Sequence, residues 1–306
     1  MKKLAVFLIS LVAVLNMSAK KSALIVGIGK YDTGKTGFNR INGDRDVALL
    51  SGKLSNIGFK VESLVNERAT KRNVVSAIKK LVNNAKSGDI VYIQFSCHGQ
   101  QIPDKNKDEK SGYDQALVCY DACSDYSFKI KGKPYYAQNH LIDDELFPHI
   151  NNLKIKVGAK GKVYVVFDSC YSGTAFRDEE ELMELETDEP VSEEDKELYG
   201  DVRSAGKFVV REKDATDKYL RQLKKPGAFS KSGGTVVIIS ACSDNQKNHE
   251  YNISGSKYGS LSFCIAKMLD EKIPLDDWYQ FFLNRKYKKY NIETLKSQTP
   301  QVHYFK

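Results

Sequence analysis

The sequence has few of the features that mark multidomain or membrane-spanning proteins. Its 306 residues include only seven prolines, with no internal repeat and no linker-like stretch rich in proline, glycine and serine. Beyond residue 19, no segment is apolar enough to span a bilayer. The rest of the chain is about twice the usual domain length. It could form one domain or two, and the missing linker favours a single domain over residues 20–306.

Two kinds of binding protein also lack their signatures in this chain. Gly27 and Gly29, with Lys35 nearby, complete neither of the glycine-rich fingerprints of nucleotide-binding loops. The formal net charge of +8 suits nucleic acid, but the sequence has no recognition pattern of arginines with aromatic residues. The sequence therefore disfavours a nucleotide- or flavin-binding protein, and we expect no nucleic-acid partner.

The first nineteen residues have the pattern of a secretory signal. Two lysines at positions 2 and 3 precede an apolar run, Leu4 to Leu15, that is interrupted only by Ser10 and is too short to span a membrane comfortably. We expect residues 1–19 to be a signal peptide cleaved after Ala19. The protein would then be exported, to the periplasm or out of the cell, without membrane attachment. An uncleaved anchor or a hydrophobic first strand is the alternative.

The segment from Lys162 to Gly173, KVYVVFDSCYSG, carries the first candidate for chemistry. Its apolar, β-branched run is typical of a strand buried on both faces, and it ends in a small polar turn that contains Cys170. A residue in that position lies at the carboxyl edge of an α/β sheet, where such proteins place their ligands. Cys170 is therefore a candidate nucleophile, although a buried, inert thiol is the simpler interpretation.

A second segment, DIVYIQFSCHG from Asp89 to Gly99, is built in the same way and ends at His98. If both strands are parallel members of one sheet, His98 and Cys170 lie at the same edge. An imidazole within hydrogen-bond reach activates a thiol by taking its proton. A lone histidine is more often a satisfied core residue, but the two strand ends together favour a Cys-His dyad.

The rest of the chain alternates between strands and amphipathic helices. The patterns predict strands at Ser22–Ile28 and Phe59–Val65, and helices at Asp46–Leu54, Thr70–Ala85 and Leu141–Leu153. Strands that alternate with helices indicate a mainly parallel, doubly wound sheet.

The two strand-end segments, FSCHGQ and FDSCYSG, resemble the histidine and cysteine boxes of the caspase-like cysteine peptidases, and among them the metacaspases. The resemblance runs from about Ser22 to the end of the chain and includes ALIVGI, GDRDVALLSGKLSNIGF, GYDQ, HLIDDEL, SACSDNQ and QTPQ in the family's order. It implies an α/β caspase-like fold, a mainly parallel central sheet flanked by helices. It also implies a cysteine endopeptidase that needs no cofactor for its chemistry. A clostripain- or gingipain-type peptidase and a catalytically idle interaction module are the alternatives.

Side-chain alternation gives a first view of the substrate pocket. If strand geometry persists, Ser96 shares a face with His98, and Asp168 shares a face with Cys170. A carboxylate beside a thiolate raises the thiol pKa, so Asp168 makes sense as the partner of a substrate cation.

The resemblance implies the same pocket, because metacaspases cleave after Arg or Lys. Their pocket residues match Asp168, Ser96 and Asp46, with Asp44 as the competing choice for the third. The resemblance further implies that the N–H groups of Gly99 and Cys170 bind the developing oxyanion. The expected partners are proteins or peptides with Arg or Lys at the cleavage site, and we expect a monomer.

The cysteines do not suggest a disulfide framework. If Cys170 acts as a thiolate, five others remain, and an odd number argues against full pairing. Cys119 and Cys123 could bridge.

The resemblance also implies a Ca²⁺ site formed by Asp114, Asp143 and Asp144, since hard oxygen ligands suit that ion. The family's fourth aspartate is replaced by Arg177 in this sequence, with Asp178 one residue later. A solvated acidic helix start is the alternative, so calcium is at most an activator.

The segment after the cysteine box changes character sharply. Residues 178–197 contain twelve acidic residues and one lysine, and residues 203–225 are rich in Lys and Arg. Runs of like charge are usually solvated. The resemblance implies a loop, at about residues 177–232, that the enzyme itself can cleave. A surface insertion with no such role is the alternative.

Overall fold

The computed structural model describes residues 19–104, 106–107, 112–170, 203–207, 227–243 and 246–306. The predicted signal peptide, apart from Ala19, and most of the predicted insertion at residues 177–232 lie outside this range.

The described residues form fourteen strands. They are β1 (Lys21–Gly27), β2 (Phe59–Val65), β3 (Ile90–Ser96), β4 (Gly99–Pro103), β5 (Tyr113–Val118), β6 (Lys129–Ile130), β7 (Lys133–Pro134), β8 (His140–Ile142), β9 (Lys162–Asp168), β10 (Ser204–Lys207), β11 (Thr235–Ser240), β12 (Glu250–Ile253), β13 (Ser256–Gly259) and β14 (Gln301–Phe305).

Seven α-helices connect these strands within the described residues. They are α1 (Thr33–Thr36), α2 (Gly43–Asn56), α3 (Lys71–Asn84), α4 (Asp143–Val157), α5 (Ser260–Asp270), α6 (Trp278–Leu283) and α7 (Thr294–Ser297). Short 3-10 turns lie at Asn66–Arg68, Leu275–Asp277 and Lys286–Tyr290.

Six strands form the central sheet, in the order β14-β11-β9-β3-β1-β2. All neighbours in this sheet are parallel except β14, which runs antiparallel to β11 at the edge. The central strands β3 and β9 are almost entirely buried, as their unbroken apolar runs predict. The predicted α/β architecture with a mainly parallel sheet is therefore confirmed.

Helices cover both faces of this sheet. The core on one face includes residues of α3 and α4, and the core on the other includes residues of α2, α5 and α6. Side chains alternate between the two cores along β3: Ile93 and Phe95 belong to the first, and Tyr92 to the second. Phe95 also stacks on Phe167 of the neighbouring strand, with ring centroids 5.6 Å apart. The site residues at the strand ends thus follow strands that are packed on both faces.

A second sheet lies beyond the ends of these strands, in the order β10-β4-β5-β8. Strands β4, β5 and β8 are antiparallel, and the short β10 adds to β4 in the parallel direction. The prediction of a helix from Leu141 was wrong at its start. Leu141 and Ile142 are paired with β5, and the helix begins at Asp143 because the local backbone hydrogen bonds there go to the sheet.

Among the described residues, no helix is both long and apolar enough to cross a membrane. All six cysteines are buried, and Cys119 and Cys123 are free thiols.

Candidate active site

The central strands bring the two sequence boxes together. β3 and β9 are neighbours, and their register pairs Ser96 with Asp168, the last residue of each strand. His98 and Cys170 each follow two residues later, at the same edge of the sheet, and both are buried. The topology therefore brings His98 and Cys170 to the ends of neighbouring strands at one edge of the sheet, as the parallel arrangement predicts.

His98 is held in an aromatic niche. Its ring lies 5.1 Å from that of Tyr31 and 5.9 Å from that of Phe38, measured between centroids. Nε2 lies 2.8 Å from the carbonyl oxygen of Asn39. Because a carbonyl only accepts, this contact selects the tautomer with hydrogen on Nε2. It leaves the buried Nδ1, which makes no hydrogen bond in the described part of the chain, with its lone pair available.

Burial lowers the pKa of His98 below its ordinary value of 6.5, while the backbone carbonyls of Asn39 and Arg203 act in the opposite direction. The ring is therefore neutral at pH 7 and able to accept a proton.

The thiol of Cys170 faces a backbone donor. The N–H of Asn248 lies 2.9 Å from its Sγ and donates to it. The backbone of Cys170 also approaches Gly99 so closely that a Cβ at position 99 would overlap the Cys170 carbonyl oxygen. Only glycine fits there, so the residue after the histidine is fixed by the proximity of the two boxes.

An arginine from the chain itself fills the acidic pocket beside these groups. The side chain of Arg203 is fully buried, and its Nη2 lies 2.8 Å from Asp46 Oδ2. Nη1 donates to the backbone carbonyl of Asp168 at 3.1 Å and lies 3.6 Å from Asp168 Oδ1. Glu250 Oε1 accepts from both Nε, at 3.2 Å, and Nη2, at 3.0 Å. Three buried carboxylates thus surround one guanidinium.

The main chain of Arg203 is held as firmly as its side chain. Its N–H donates to the Asn248 carbonyl at 2.9 Å, and its own carbonyl accepts from the N–H of Gly99 at 3.1 Å. The next residues, β10, continue along β4. The Gly99 N–H therefore polarises the carbonyl of the basic residue itself. Asn248 contacts both partners: its carbonyl accepts from the Arg203 N–H, and its N–H donates to the Cys170 thiol.

Asp168 is oriented by donors from two other segments. Its Oδ2 accepts from the backbone N–H and the hydroxyl of Ser262, at 2.7 and 2.6 Å, and its Oδ1 accepts from Asn248 Nδ2 at 2.7 Å. Ser96 joins this network indirectly, through a 3.2 Å contact between its hydroxyl and that of Ser262. Ser96 thus contacts Ser262, and Ser262 in turn holds Asp168.

The expectation that Ser96 and His98 share a face assumed a continuing strand, but β3 ends at Ser96. Ser96 contacts Ser262 of α5, whereas His98 packs on Tyr31 and Phe38.

Asp46, in the first turn of α2, is the carboxylate that reaches the pocket. Its Oδ1 accepts from the N–H of Gly259 at 2.9 Å, and its Oδ2 faces Arg203. Asp44, the competing choice, instead accepts from Asn66 Nδ2 at 3.2 Å. Burial raises the pKa of Asp46 to about 7. The Arg203 guanidinium lowers it in part, and the Asp168 carboxylate raises it further.

The three acidic residues expected to bind a metal also come together. Asp114 of β5 and Asp143 and Asp144 of α4 are buried, with carboxylate oxygens within 4.8 Å of one another. Asn106 Nδ2 donates to Asp144 Oδ2 at 2.5 Å. Three converging carboxylates are a fitting donor set for a hard divalent cation such as Ca²⁺. Arg177 and Asp178, at the place of the expected fourth ligand, lie outside the described residues.

Sequence reasoning did not find Arg203, Glu250, Asn248 or Ser262. Arg203 lies in a segment with many Lys and Arg residues, and nothing local singles it out. Glu250 lies just beyond the SACSDNQ segment, so the nearest available signal was its closeness to that match.

Comparisons with known proteins identify the family of the chain. The sequence model of the family described as "Caspase domain" matches residues 20–304 of the chain. Metacaspase-1 of Cryptococcus neoformans is 25% identical over 295 residues, covering 86% of this chain and 58% of that protein. Metacaspase-1A of Aspergillus fumigatus is 25% identical over 316 residues, covering 93% of this chain and 68% of that protein. The chain thus spans between about three fifths and two thirds of the length of these curated relatives.

A solved structure supports the fold. A crystal structure of a protein from Geobacter sulfurreducens matches with a TM-score of 0.60 and 19% identity, and the match covers 93% of both chains.

Proposed function

This chain belongs to the caspase-domain family, with metacaspases among its relatives, and we propose that it is a cysteine endopeptidase that cleaves after basic residues. In this proposal Cys170 is the nucleophile and His98 is the proton carrier. Asp46 and Asp168 bind the basic side chain of the substrate, and the Gly99 N–H binds the oxyanion. The predicted caspase-like fold and membership of a family of cysteine-type endopeptidases are confirmed by the match over residues 20–304.

One observation carries the proposal: Arg203 occupies the acidic pocket in the manner of a substrate. Its guanidinium is fully buried between Asp46, Asp168 and Glu250, and its carbonyl accepts from the Gly99 N–H. A buried charge is tolerated only with such partners. A pocket that binds arginine in this way beside a thiol and a neutral imidazole fits cleavage of the bond after the arginine.

The chemistry follows from the groups in place. Cys170 Sγ attacks the carbonyl carbon of the basic residue while His98 Nδ1 takes the thiol proton. The oxyanion that forms is bound by the Gly99 N–H. His98 then protonates the leaving amine, and water hydrolyses the thioester to regenerate the thiol. Cysteine peptidase chemistry of this kind needs no cofactor.

The test uses fluorogenic peptides that end in Arg, Lys or Asp, with wild type, Cys170→Ala and His98→Ala. We expect cleavage after Arg or Lys in the wild type and none in either variant. Cys123→Ala, which removes a different buried thiol, is the matched control and should retain activity. Cleavage after Asp, or activity that persists in Cys170→Ala, would contradict the proposal.

We further propose that the enzyme processes itself between Arg203 and Ser204. Support comes from the main-chain contacts of Arg203, which are those of a residue directly before a cleaved bond, and from β10, which continues along β4 beyond it. Mass spectrometry of the incubated full chain should find a new amino terminus at Ser204, absent in Cys170→Ala and in Arg203→Gln. Lys207→Gln, in the same segment, is the control and should still be cut. An intact chain that cleaves peptides would reject self-processing alone.

Calcium binding by Asp114, Asp143 and Asp144 is a separate proposal, supported by their convergence. Bound Ca²⁺ would tie β5 to the start of α4 and act as an activator away from the thiol. We expect Ca²⁺ to raise the melting temperature of Cys170→Ala, an effect that is lost when Asp144→Asn is added and kept when the exposed Asp276→Asn is added instead. Equal shifts in both variants would reject the site.

Export rests on the pattern of residues 1–19 and is likewise proposed. Expression with the full leader should release a mature protein that begins at Lys20, and retention of residue 1 in the purified protein would reject cleavage.

A further inference from the structure

We propose that Glu250 makes the substrate pocket select arginine over lysine. This inference rests on the proposed cleavage after basic residues and adds a selectivity that neither the family match nor the sequence boxes assign. The contacts of Arg203 in the pocket show which donor of a basic side chain meets which acceptor.

All three nitrogens of the Arg203 guanidinium contact an acceptor in the pocket. Asp46 meets Nη2, and the backbone carbonyl of Asp168 meets Nη1. Among the described residues, the acceptor at Nε is Glu250, at 3.2 Å, and it shares Nη2 at 3.0 Å. The Nε–H group points sideways from the stem of arginine, so an acceptor there tests for a feature that a lysine side chain does not have.

Glu250 is held by contacts other than those with the arginine. Its Oε1 accepts from the Asn42 N–H at 2.7 Å, and its Oε2 accepts from Asn42 Nδ2 at 2.5 Å. Asn42 directly precedes α2, the helix that carries Asp46, so both carboxylates are fixed to the same helix start. Glu250 itself is buried. Its carboxylate therefore cannot turn to follow a different ligand without breaking contacts inside the protein.

Lysine would satisfy this pocket only in part. Its ammonium is a single nitrogen at the end of the stem, placed near the central carbon of an arginine guanidinium, and it has no donor along the stem. It can approach Asp46 or Asp168, but Glu250 Oε1 then loses the Nε–H contact in a site without water access. Oε1 keeps the Asn42 N–H, but a buried carboxylate that loses one of its charged donors still carries a penalty. We therefore expect arginine to be preferred over lysine by about 10- to 100-fold in kcat/KM.

The test compares two peptides that differ only in Arg or Lys before the cleaved bond, using wild type, Glu250→Gln and Glu250→Ala. The wild type should show the preference of about 10- to 100-fold. Glu250→Gln should reduce the preference and Glu250→Ala should bring it to within about threefold, mainly through loss of Arg cleavage. Glu271→Gln changes an exposed carboxylate and is the matched control, which should keep the wild-type ratio. Circular dichroism and melting temperature establish that each variant is folded.

The possible outcomes are distinguishable. A wild-type preference that is unchanged in a folded Glu250 variant overturns the inference, and so does an equal loss of Arg and Lys cleavage, which would make Glu250 a general source of negative charge. If folded wild type cleaves neither peptide, the proposed function fails, and the inference fails with it.

Self-processing gives a second readout in the full chain. Arg203→Lys should slow the appearance of the Ser204 terminus by the same factor of about 10- to 100-fold. In a Glu250→Ala background, the chain that keeps Arg203 and the chain that carries Arg203→Lys should be processed at similar, slow rates. Equal processing of both chains with Glu250 intact would overturn the inference even if the peptide assay favoured arginine.

Discussion

The charge balance of the substrate pocket sets the properties of its residues. Three buried carboxylates, Asp46, Asp168 and Glu250, face the single positive charge of Arg203. Without a proton, the cluster would keep two excess negative charges in a region that water does not reach, which is costly. The raised pKa of Asp46, about 7, is the physical response: burial and the neighbouring Asp168 carboxylate make this group take up a proton more readily than an exposed aspartate.

A pH dependence of substrate binding follows from Asp46. We expect KM for an arginine peptide to rise as the pH falls towards about 7, because a guanidinium in the pocket lowers the pKa of Asp46 and protonation of this carboxylate therefore opposes binding. We expect kcat to fall only at a lower pH, since burial keeps the pKa of His98 below 6.5. Steady-state profiles between pH 5 and 8.5 measure both. In Asp46→Asn the KM limb near pH 7 should vanish, and an unchanged limb would assign the effect to another group.

Gly259 leaves the space that the guanidinium occupies. A Cβ at this position would overlap a carboxylate oxygen of Asp168 and stand 2.7 Å from Arg203 Nη1. We expect Gly259→Ala to reduce kcat/KM for arginine peptides by about 100-fold or more, because the added methyl competes with a group that must be fully buried.

The control is Gly52→Ala, since a Cβ at Gly52 in α2 meets nothing within 4 Å. It should leave kcat/KM unchanged. If Gly259→Ala retains full activity, the substrate side chain binds elsewhere.

At the scale of elements, the site is the meeting point of two sheets. β3 and β9 deliver His98 and Cys170, and β4 starts at Gly99, the residue that binds the carbonyl oxygen. β10 then adds to β4 beside it. A substrate would therefore lay the residues that follow its cleaved bond along the edge of β4, a common mode of peptide binding by strand addition.

This geometry predicts that β4 binds the carboxyl-terminal side of substrates. A peptide with four residues after the arginine should have a KM about 5- to 10-fold lower than one with a fluorophore directly after it, because one or two backbone hydrogen bonds are added. Methylation of the backbone nitrogens in the extension should abolish the gain. An equal KM for methylated and unmethylated extended peptides would mean that β4 contributes no binding.

The boundaries of elements show where local pattern is sufficient and where it is not. The long apolar runs of β3 and β9 have no other stable environment than a buried parallel sheet, so both strands were predictable. The start of α4 was not, because Leu141 and Ile142 suit a helix as well as a strand. Their pairing with β5, a tertiary contact, decides the outcome.

At the scale of the whole molecule, Arg203 ties segments that are far apart in sequence. It links Asp46 at the start of α2, Asp168 at the end of β9 and Glu250 at the start of β12. We expect Arg203→Ala, made in the Cys170→Ala chain to prevent processing, to lower the free energy of unfolding by about 3–5 kcal/mol, because it leaves buried carboxylates without a counter-charge.

Urea denaturation at pH 8 measures this effect. The exposed Lys60→Ala is its control and should change stability by less than about 0.5 kcal/mol. A loss of that small size in Arg203→Ala would show that the buried ion cluster contributes little.

Some residues of the candidate site were predictable from the sequence, and others were not. His98, Cys170 and Asp168 were predictable, because strand ends carry their own local pattern and the resemblance names the boxes. Glu250 and Asn248 reach the site only through the packing of β12 and the segment before it, and that packing leaves no periodicity in the sequence. Arg203 could not be distinguished from neighbouring Lys and Arg residues, since its role depends on burial.

Cleavage after arginine by the Cys170 thiol is tested most directly by covalent trapping. A peptide that ends in an arginine chloromethyl ketone would be incubated with the protein, and the modified residue would be located by mass spectrometry of peptide fragments. We predict one adduct, on Cys170, and none with the aspartate version of the reagent. An adduct on another of the six cysteines, or equal labelling by the aspartate reagent, would contradict the central claim.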